Sequence, residues 1–419
     1  MGFRDALADT RPLKVPAFRR LWSANILTQL GAQISVVAVP AQIYALTQSS
    51  GYVGLTGMFG VVPLVIFGLY GGSIADAFDK RSVLMVTTVG MIAAAAAFWT
   101  VTASGAASVW WLLGIYALQQ AFFAVNQPTR TAVVRQLVPF EQLPAATSLN
   151  MILMQGGAII GPLVAGALIP VTGFQWLYAI DAALLLPTLL AVVALPSLPP
   201  VGGHAQRAGL RSIASGLSYL LTQPILLAAM GLDLIAMVFG MPRALYPEMA
   251  DVHFGGSSMM LSLLYSAIAV GAVLGGLFSG WLSRVAAQGR AVVYAIVAWG
   301  ATIALAGVGV LAGWPVVVIA MLVAAGAADM FSAALRHSIV QQSATESMMG
   351  RVQGVYVIIV VGGPQVADMG HGWAAQWGGA GWTTIVGGVA AVVGTVWAVS
   401  RLPSFWHYTR PIDSSHRPL

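Results

Sequence analysis

The sequence predicts an all-α membrane protein of twelve transmembrane helices in two six-helix, pseudo-symmetric bundles, on three observations. Of 419 residues, 58% are hydrophobic and only 8% charged, and the mean hydropathy is +0.84. A soluble domain carries about 25% charged residues, so most of this surface must face lipid. The apolar residues fall into stretches close to the roughly 20 residues that cross a bilayer. The third observation is that the two halves of the chain repeat each other's landmarks.

The stretches run, in order, over 20–46, 51–75, 82–104, 108–134, 145–170, 174–195, 224–247, 258–283, 290–312, 315–338, 351–376 and 381–402. The segment between the sixth and seventh is the most polar in the interior. It opens with Pro196, Pro199, Pro200, Gly202 and Gly203, which cannot continue a helix. It then becomes amphipathic through Leu210, Ile213, Leu217, Leu220 and Leu221, beside Arg207 and Arg211, as a surface-lying helix would. The expected organisation is therefore a first bundle over 1–195, a cytoplasmic linker over 196–223, a second bundle over 224–402 and a cytoplasmic tail over 403–419.

Basic residues set the orientation. With both termini in the cytoplasm, Lys14, Arg19, Arg20, Lys80, Arg81, Arg135, Arg284, Arg290, Arg351 and Arg401 all fall inside, and Arg243 is the one basic residue left outside. Trp110, Trp111, Trp176, Trp314, Trp377 and Trp382 fall at outer helix ends, as an interfacial aromatic belt should. The preponderance of Arg over Lys, with abundant Ala and Gly, points to a bacterial source and so to the inner membrane. The first apolar stretch is too long for a cleavable signal peptide.

The repeats are specific. Gly72 to Arg81 after the second stretch has a counterpart in Gly276 to Arg284 after the eighth. Arg130 precedes Gln136 as Arg336 precedes Gln342, and Gly161-Pro162 matches Gly363-Pro364. Parallel repeats with a site near the midplane are a transporter architecture. Catalysis has no support. The sequence shows no Gly-x-Ser-x-Gly, no metal-ligand spacing and no phosphate-cradling loop, and there is no cysteine. No cofactor, enzyme activity or nucleic-acid partner is expected. The basic residues sit in short loops and form no patch.

Polar residues inside the apolar stretches mark the candidate site. Asn25, Gln29 and Gln33 recur every four residues and share one face of the first helix. Gln119, Phe123, Asn126 and Arg130 form a second stripe, and Met230, Asp233, Met237 and Met241 a third. Each stripe is either cavity lining or interhelical packing. An ionised carboxylate at the bilayer centre costs at least about 2.5–3.5 kcal/mol, which makes Asp233, Asp329 and Asp368 the candidate proton-coupling groups, with Asp181 nearer the outer end. Asp329 and Arg336 are seven residues apart on one face, expected to share a polar track without pairing directly. Arg243, with Glu248 and Asp251 close in sequence, is expected to attract an anionic substrate, to modulate an acid or to form an outer-gate salt bridge. His371, three residues after Asp368 on the same face, is expected either to relay protons or, as the plainer reading, to be a satisfied interfacial histidine.

Gly72, Asp76, Lys80 and Arg81 resemble the signature loop of the major facilitator superfamily, with Asp79 where that superfamily often has Gly. The resemblance implies a gate in which Asp76 faces the start of the eleventh helix near Arg351. Gly157, Gly161, Pro162 and Gly166 are similar to the Gly-Pro motif of antiporters, with Ala165 replacing one Gly. A narrower resemblance, carried by Val39-Pro40-Ala-Gln42, Arg243 to Asp251 and Gly362 to Asp368, is to the enterobactin exporter branch and its actinobacterial members. It implies a monomeric, proton-driven exporter of a siderophore or similar amphipathic small molecule, needing no cofactor beyond the proton gradient. A broad drug efflux pump of the same fold and a non-transporting membrane scaffold or enzyme are the alternatives.

Overall fold

Prolines and small caps divide the chain into its helices. In a computed structural model, which describes residues 9–199 and 210–409, the long elements are α1 (Pro16–Thr47), α2 (Ser50–Ala77), α3 (Lys80–Ala103), α4 (Val109–Leu137), α5 (Leu143–Thr172) and α6 (Phe174–Val193). After them come α7 (Leu210–Thr222), α8 (Pro224–Gly240), a short turn α9 (Tyr246–Glu248), α10 (Ser258–Leu277), α11 (Gln288–Leu311), α12 (Pro315–Ser343), α13 (Glu346–Arg401) and α14 (Pro403–Trp406). No strand occurs among the described residues. Ten stretches of them are long and apolar enough to cross a membrane. Pro16, Pro144, Pro224 and Pro315 stand in the first turns of α1, α5, α8 and α12, where a missing N–H costs nothing. Gly173 separates α5 from α6 at φ 74°, a conformation that a side chain disfavours. The two apolar stretches expected at 351–376 and 381–402 form one run of helix, interrupted at Gly379 (φ 73°, ψ 170°). Glu248 accepts a hydrogen bond there from the Ala380 N–H (2.8 Å).

Two compact units divide the chain: Met1–Gly209 with Ala250–Ser266, and Leu210–Met249 with Ala267–Leu419. In the first, α1 packs on α5 and α6, α3 on α4 and α6, and α2 on α4. Leu21, Leu84, Val133, Val192, Leu195 and Leu198 close one core, and Phe18, Val134, Val138, Ala146 and Leu149 another. Phe98 and Tyr178 stack with centroids 4.8 Å apart, worth about 0.5–1.5 kcal/mol beyond burial. In the second unit, α11 packs on α12 and α13, and α8 on α13. Trp299 is fully buried against Gly240, and its Nε1 donates to the Ala236 carbonyl (3.3 Å).

Lipid supplies little drive for helices to associate, so close approach at small residues must. A Cβ at Gly157 would lie 3.3 Å from the Gln29 Cβ, and one at Gly161 would overlap the Gln33 side chain. The four-residue spacing of the α5 glycines thus interlocks with the four-residue spacing of the α1 glutamines. Pro162 is buried beside this contact. Gly271 and Gly326 bring α10 and α12 together in the second unit, each against backbone of the other helix.

Candidate functional site

Among the described residues of the first unit, polar groups join helices without opposite charges. Asp181 on α6 is buried, accepts from Ser35 Oγ on α1 (2.6 Å), and takes a further hydrogen bond from Gln119 on α4. Gly31 makes room for this carboxylate, because a Cβ there would meet its Oδ1. Gln42 Nε2 donates to Thr102 Oγ1 (3.1 Å), and Tyr178 Oη donates to Gln42 Oε1 (2.8 Å). Asn126 donates to Thr87 Oγ1 (2.8 Å), which places it between α3 and α4. Phe123 and Gln33 are half-buried.

A cavity of about 810 Å³ opens in this same unit, between α1, α4 and α5. Asn25, Gln29 and Arg130 line it, together with Arg135, Asn150 and Met154, which the helical stripes did not single out. The Arg130 Nη1 donates to Asn25 Oδ1 (2.5 Å). Arg135 was legible as a basic residue one and a half turns past Arg130, a weak signal on its own.

The signature loop lies at the α2–α3 junction. Asp79 caps α3, accepting from the Arg81 and Ser82 N–H groups (2.8 and 3.2 Å). It also accepts from Ser197 Oγ (2.5 Å) and the Leu198 N–H (3.1 Å). The Ser197 hydroxyl, aided by these backbone donors, holds its carboxyl below the usual range. The Lys80 N–H donates to the Leu198 carbonyl (3.1 Å), and Arg81 Nη2 donates to the Val193 carbonyl (2.7 Å). Lys80 is buried. Gly72, Asp76, Arg211 and Arg351 lie outside the residues whose side chains are described, and Arg207 outside the described residues altogether.

In the second unit, the acids meet guanidinium groups. Asp233 Oδ1 on α8 lies 2.5 Å from Arg336 Nη2 on α12, and both side chains are almost fully buried. The same Nη2 lies 3.8 Å from Asp329 Oδ1. The expectation that residues 329 and 336 do not pair directly is therefore corrected. Helical side chains lean toward the N-terminus, and an arginine is long enough to reach back along its own face. Arg336 Nη1 also donates to Ser332 Oγ (2.5 Å). Asp368 on α13 pairs with Arg243 (2.5 Å), so the expected ion pair of Arg243 forms with Asp368. Asp233 Oδ2, Asp368 Oδ1 and Arg336 Nε have no hydrogen-bond partner among the described residues. His371 is buried, with Nδ1 2.9 Å from the Met241 carbonyl. Met237 is buried, its Cβ against Gly363.

Bundled apolar helices with intramembrane carboxylates held by arginines define a membrane transporter. The model of the transmembrane secretion effector family, a major facilitator family, matches residues 7–418, and the chain belongs to that family. Over 346 residues, 81% of each chain, it is 28% identical to the enterobactin exporter EntS of Escherichia coli O1:K1 / APEC. It is 29% identical, over the same length, to the enterobactin exporter EntS of Shigella boydii serotype 18. Among solved structures it is similar to a mutant of the peptide transporter POT in complex with alafosfalin, with TM-score 0.73, 13% identity and coverage of 94% and 96%. It is also similar to a D-xylose-proton symporter, with TM-score 0.71, 12% identity and coverage of 94% and 100%. At such identities these two show the fold. The relatives and the family are transporters.

Proposed function

We propose that this chain is a proton-coupled secondary exporter, moving a siderophore or similar amphipathic metabolite across the bacterial inner membrane by alternating access. The observation that carries this reading is the Asp233–Arg336–Asp329 group. It is a set of carboxylates in an apolar bundle, sharing one guanidinium, with an Asp233 oxygen left free to take a proton. Relatives named as enterobactin exporters support outward movement and the cargo class.

The reading takes twelve crossings. To the ten apolar stretches it adds α4, whose hydropathy is diluted by Gln119, Gln120, Asn126, Gln127 and Arg130, and it divides α13 at Gly379. It assigns residues 1–195 and 224–402 to two pseudo-symmetric bundles, joined by the linker 196–223, with the tail 403–419 and both termini cytoplasmic, and the chain acting as a monomer. Gly72, Asp76, Lys80 and Arg81 form the inner gate motif in this reading. Gly157, Gly161 and Pro162 form the packing seam on which α5 moves.

The test is transport in proteoliposomes under an imposed pH gradient, comparing a catecholate siderophore with a lipophilic cationic dye. Wild type is run beside Asp233→Asn, Asp329→Asn and Asp368→Asn. The expected result is gradient-dependent siderophore movement that at least one substitution abolishes. Dye movement alone would replace this reading with a broad drug efflux pump, and no gradient-dependent flux of either compound would refute proton-driven export of both cargo classes.

A further inference from the structure

Among the described residues, the cavity of the first unit is lined by two arginines and no carboxylate. Arg130 is inside it, and among the described residues no carboxylate lies within ion-pair distance. Its hydrogen-bond partner is the neutral amide oxygen of Asn25. Arg135 lines the same cavity and, among the described residues, likewise forms no ion pair. Among the described residues, the rest of the polar lining is amide and hydroxyl, with no Asp or Glu in the wall. A guanidinium presents five donors and no acceptor, and with Arg130 half-buried and Arg135 exposed, the donors that Asn25 does not take up face the cavity. Two cations facing one cavity with free donors suit an oxyanion that enters it. Met151 and Met154 supply an adaptable apolar wall, and the volume falls within the range of small-molecule sites.

From this geometry we infer that the cavity is a binding site for an amphipathic anion, a carboxylate or phenolate on an apolar body. The oxyanion meets Arg130, and the body lies along the methionines. Gln29 and Asn150 offer neutral hydrogen bonds to carbonyl or hydroxyl groups on that body. A planar oxyanion matches the guanidinium fork in two parallel bonds. This deepens the transporter reading and rests on it for the role of the ligand as cargo, but binding itself needs no gradient. The same chemistry is offered by a dissolved anion and by an acidic lipid headgroup.

The test is calorimetric titration of the full chain with 1-naphthoate and with its uncharged analogue 1-naphthamide. It is done in nanodiscs of phosphatidylcholine, with and without phosphatidylglycerol, at one pH on both faces. Wild type is expected to prefer the naphthoate at least about tenfold. Arg130→Gln should abolish that preference, bringing naphthoate affinity down to the level of naphthamide. Asn25→Asp keeps Arg130 but gives it an internal counter-ion 2.5 Å from Nη1. It should abolish the preference too, with the melting temperature held or raised, which separates loss of the anion site from loss of the fold. Competition by phosphatidylglycerol would assign the anion site to headgroups, and indifference to it would assign the site to a dissolved anion. Equal affinity for the two probes in wild type, or a preference surviving both substitutions, would overturn the inference. Failed gradient-driven flux with this preference intact would count only against proton coupling.

Discussion

In the first unit, Asp181 meets a hydroxyl and an amide, and Arg130 meets an amide. In the second, Asp233 and Asp368 each meet a guanidinium at 2.5 Å. Both units bury ionisable groups in helices of similar apolarity, so the difference lies in what the partner can do. A neutral partner leaves a fixed charge available to a ligand. A charged partner makes a pair whose balance shifts when one proton arrives. On this comparison the first unit fits the proposed cargo site and the second the proposed proton coupling.

The largest effect that could break the comparison is on Arg336. Arg336→Met leaves Asp233 and Asp329 without their cation, and breaking a buried pair from one side costs about 3–5 kcal/mol. Arg130→Met strands no carboxylate and should cost less, about 1.5–3 kcal/mol, the worth of a hydrogen bond from a charged donor. Thermal unfolding of the two variants in the same detergent measures the gap, and equal losses would dissolve the contrast. Next is Gly161→Val, which drives a side chain into Gln33 and should cost about 1–3 kcal/mol by overpacking. Gly157→Ala, facing a 3.3 Å contact, should cost less in the same assay.

Asp181→Asn sharpens the comparison from the other side. The variant keeps an acceptor for Ser35, removes no partner of a cation, and should change stability by about 1 kcal/mol or less, with gradient-driven flux retained. The smallest effect is at Asp79. Its carboxyl is held below the usual range in the folded chain, so its contribution is present above the ordinary carboxylate pKa, about 3.9. That contribution is lost as pH falls through the lower folded value. The Asp79→Ala variant should therefore differ from wild type in melting temperature at pH 7, and the difference should shrink toward pH 3.

Much of the helical layout was legible because hydropathy and proline placement are local properties. Pro315 starts α12 and Pro224 starts α8, as expected from the stretches at 315–338 and 224–247. The four-residue spacings of Asn25, Gln29 and Gln33 and of Gly157 and Gly161 were equally readable. That the two rows interlock was not, because periodicity names a face and not what it touches. The pairing of Asp233 with Arg336 was hidden for the same reason. Asp79 is a half-legible case. An aspartate just before a helix signals a cap, but nothing local announces that the other carboxylate oxygen takes Ser197 and Leu198.

The triad in the second unit also sets a count of electrical charge. Two carboxylates and one guanidinium sum to minus one when all are ionised, and to zero with a single proton aboard. Arg243 and Asp368 already balance. If the proposed coupling loads the triad at one face and empties it at the other, each cycle carries one elementary charge, which a membrane voltage drives by about 2.3 kcal/mol per 100 mV. If an anion leaves in the same cycle, the two currents add, and voltage becomes as much a fuel as acidity.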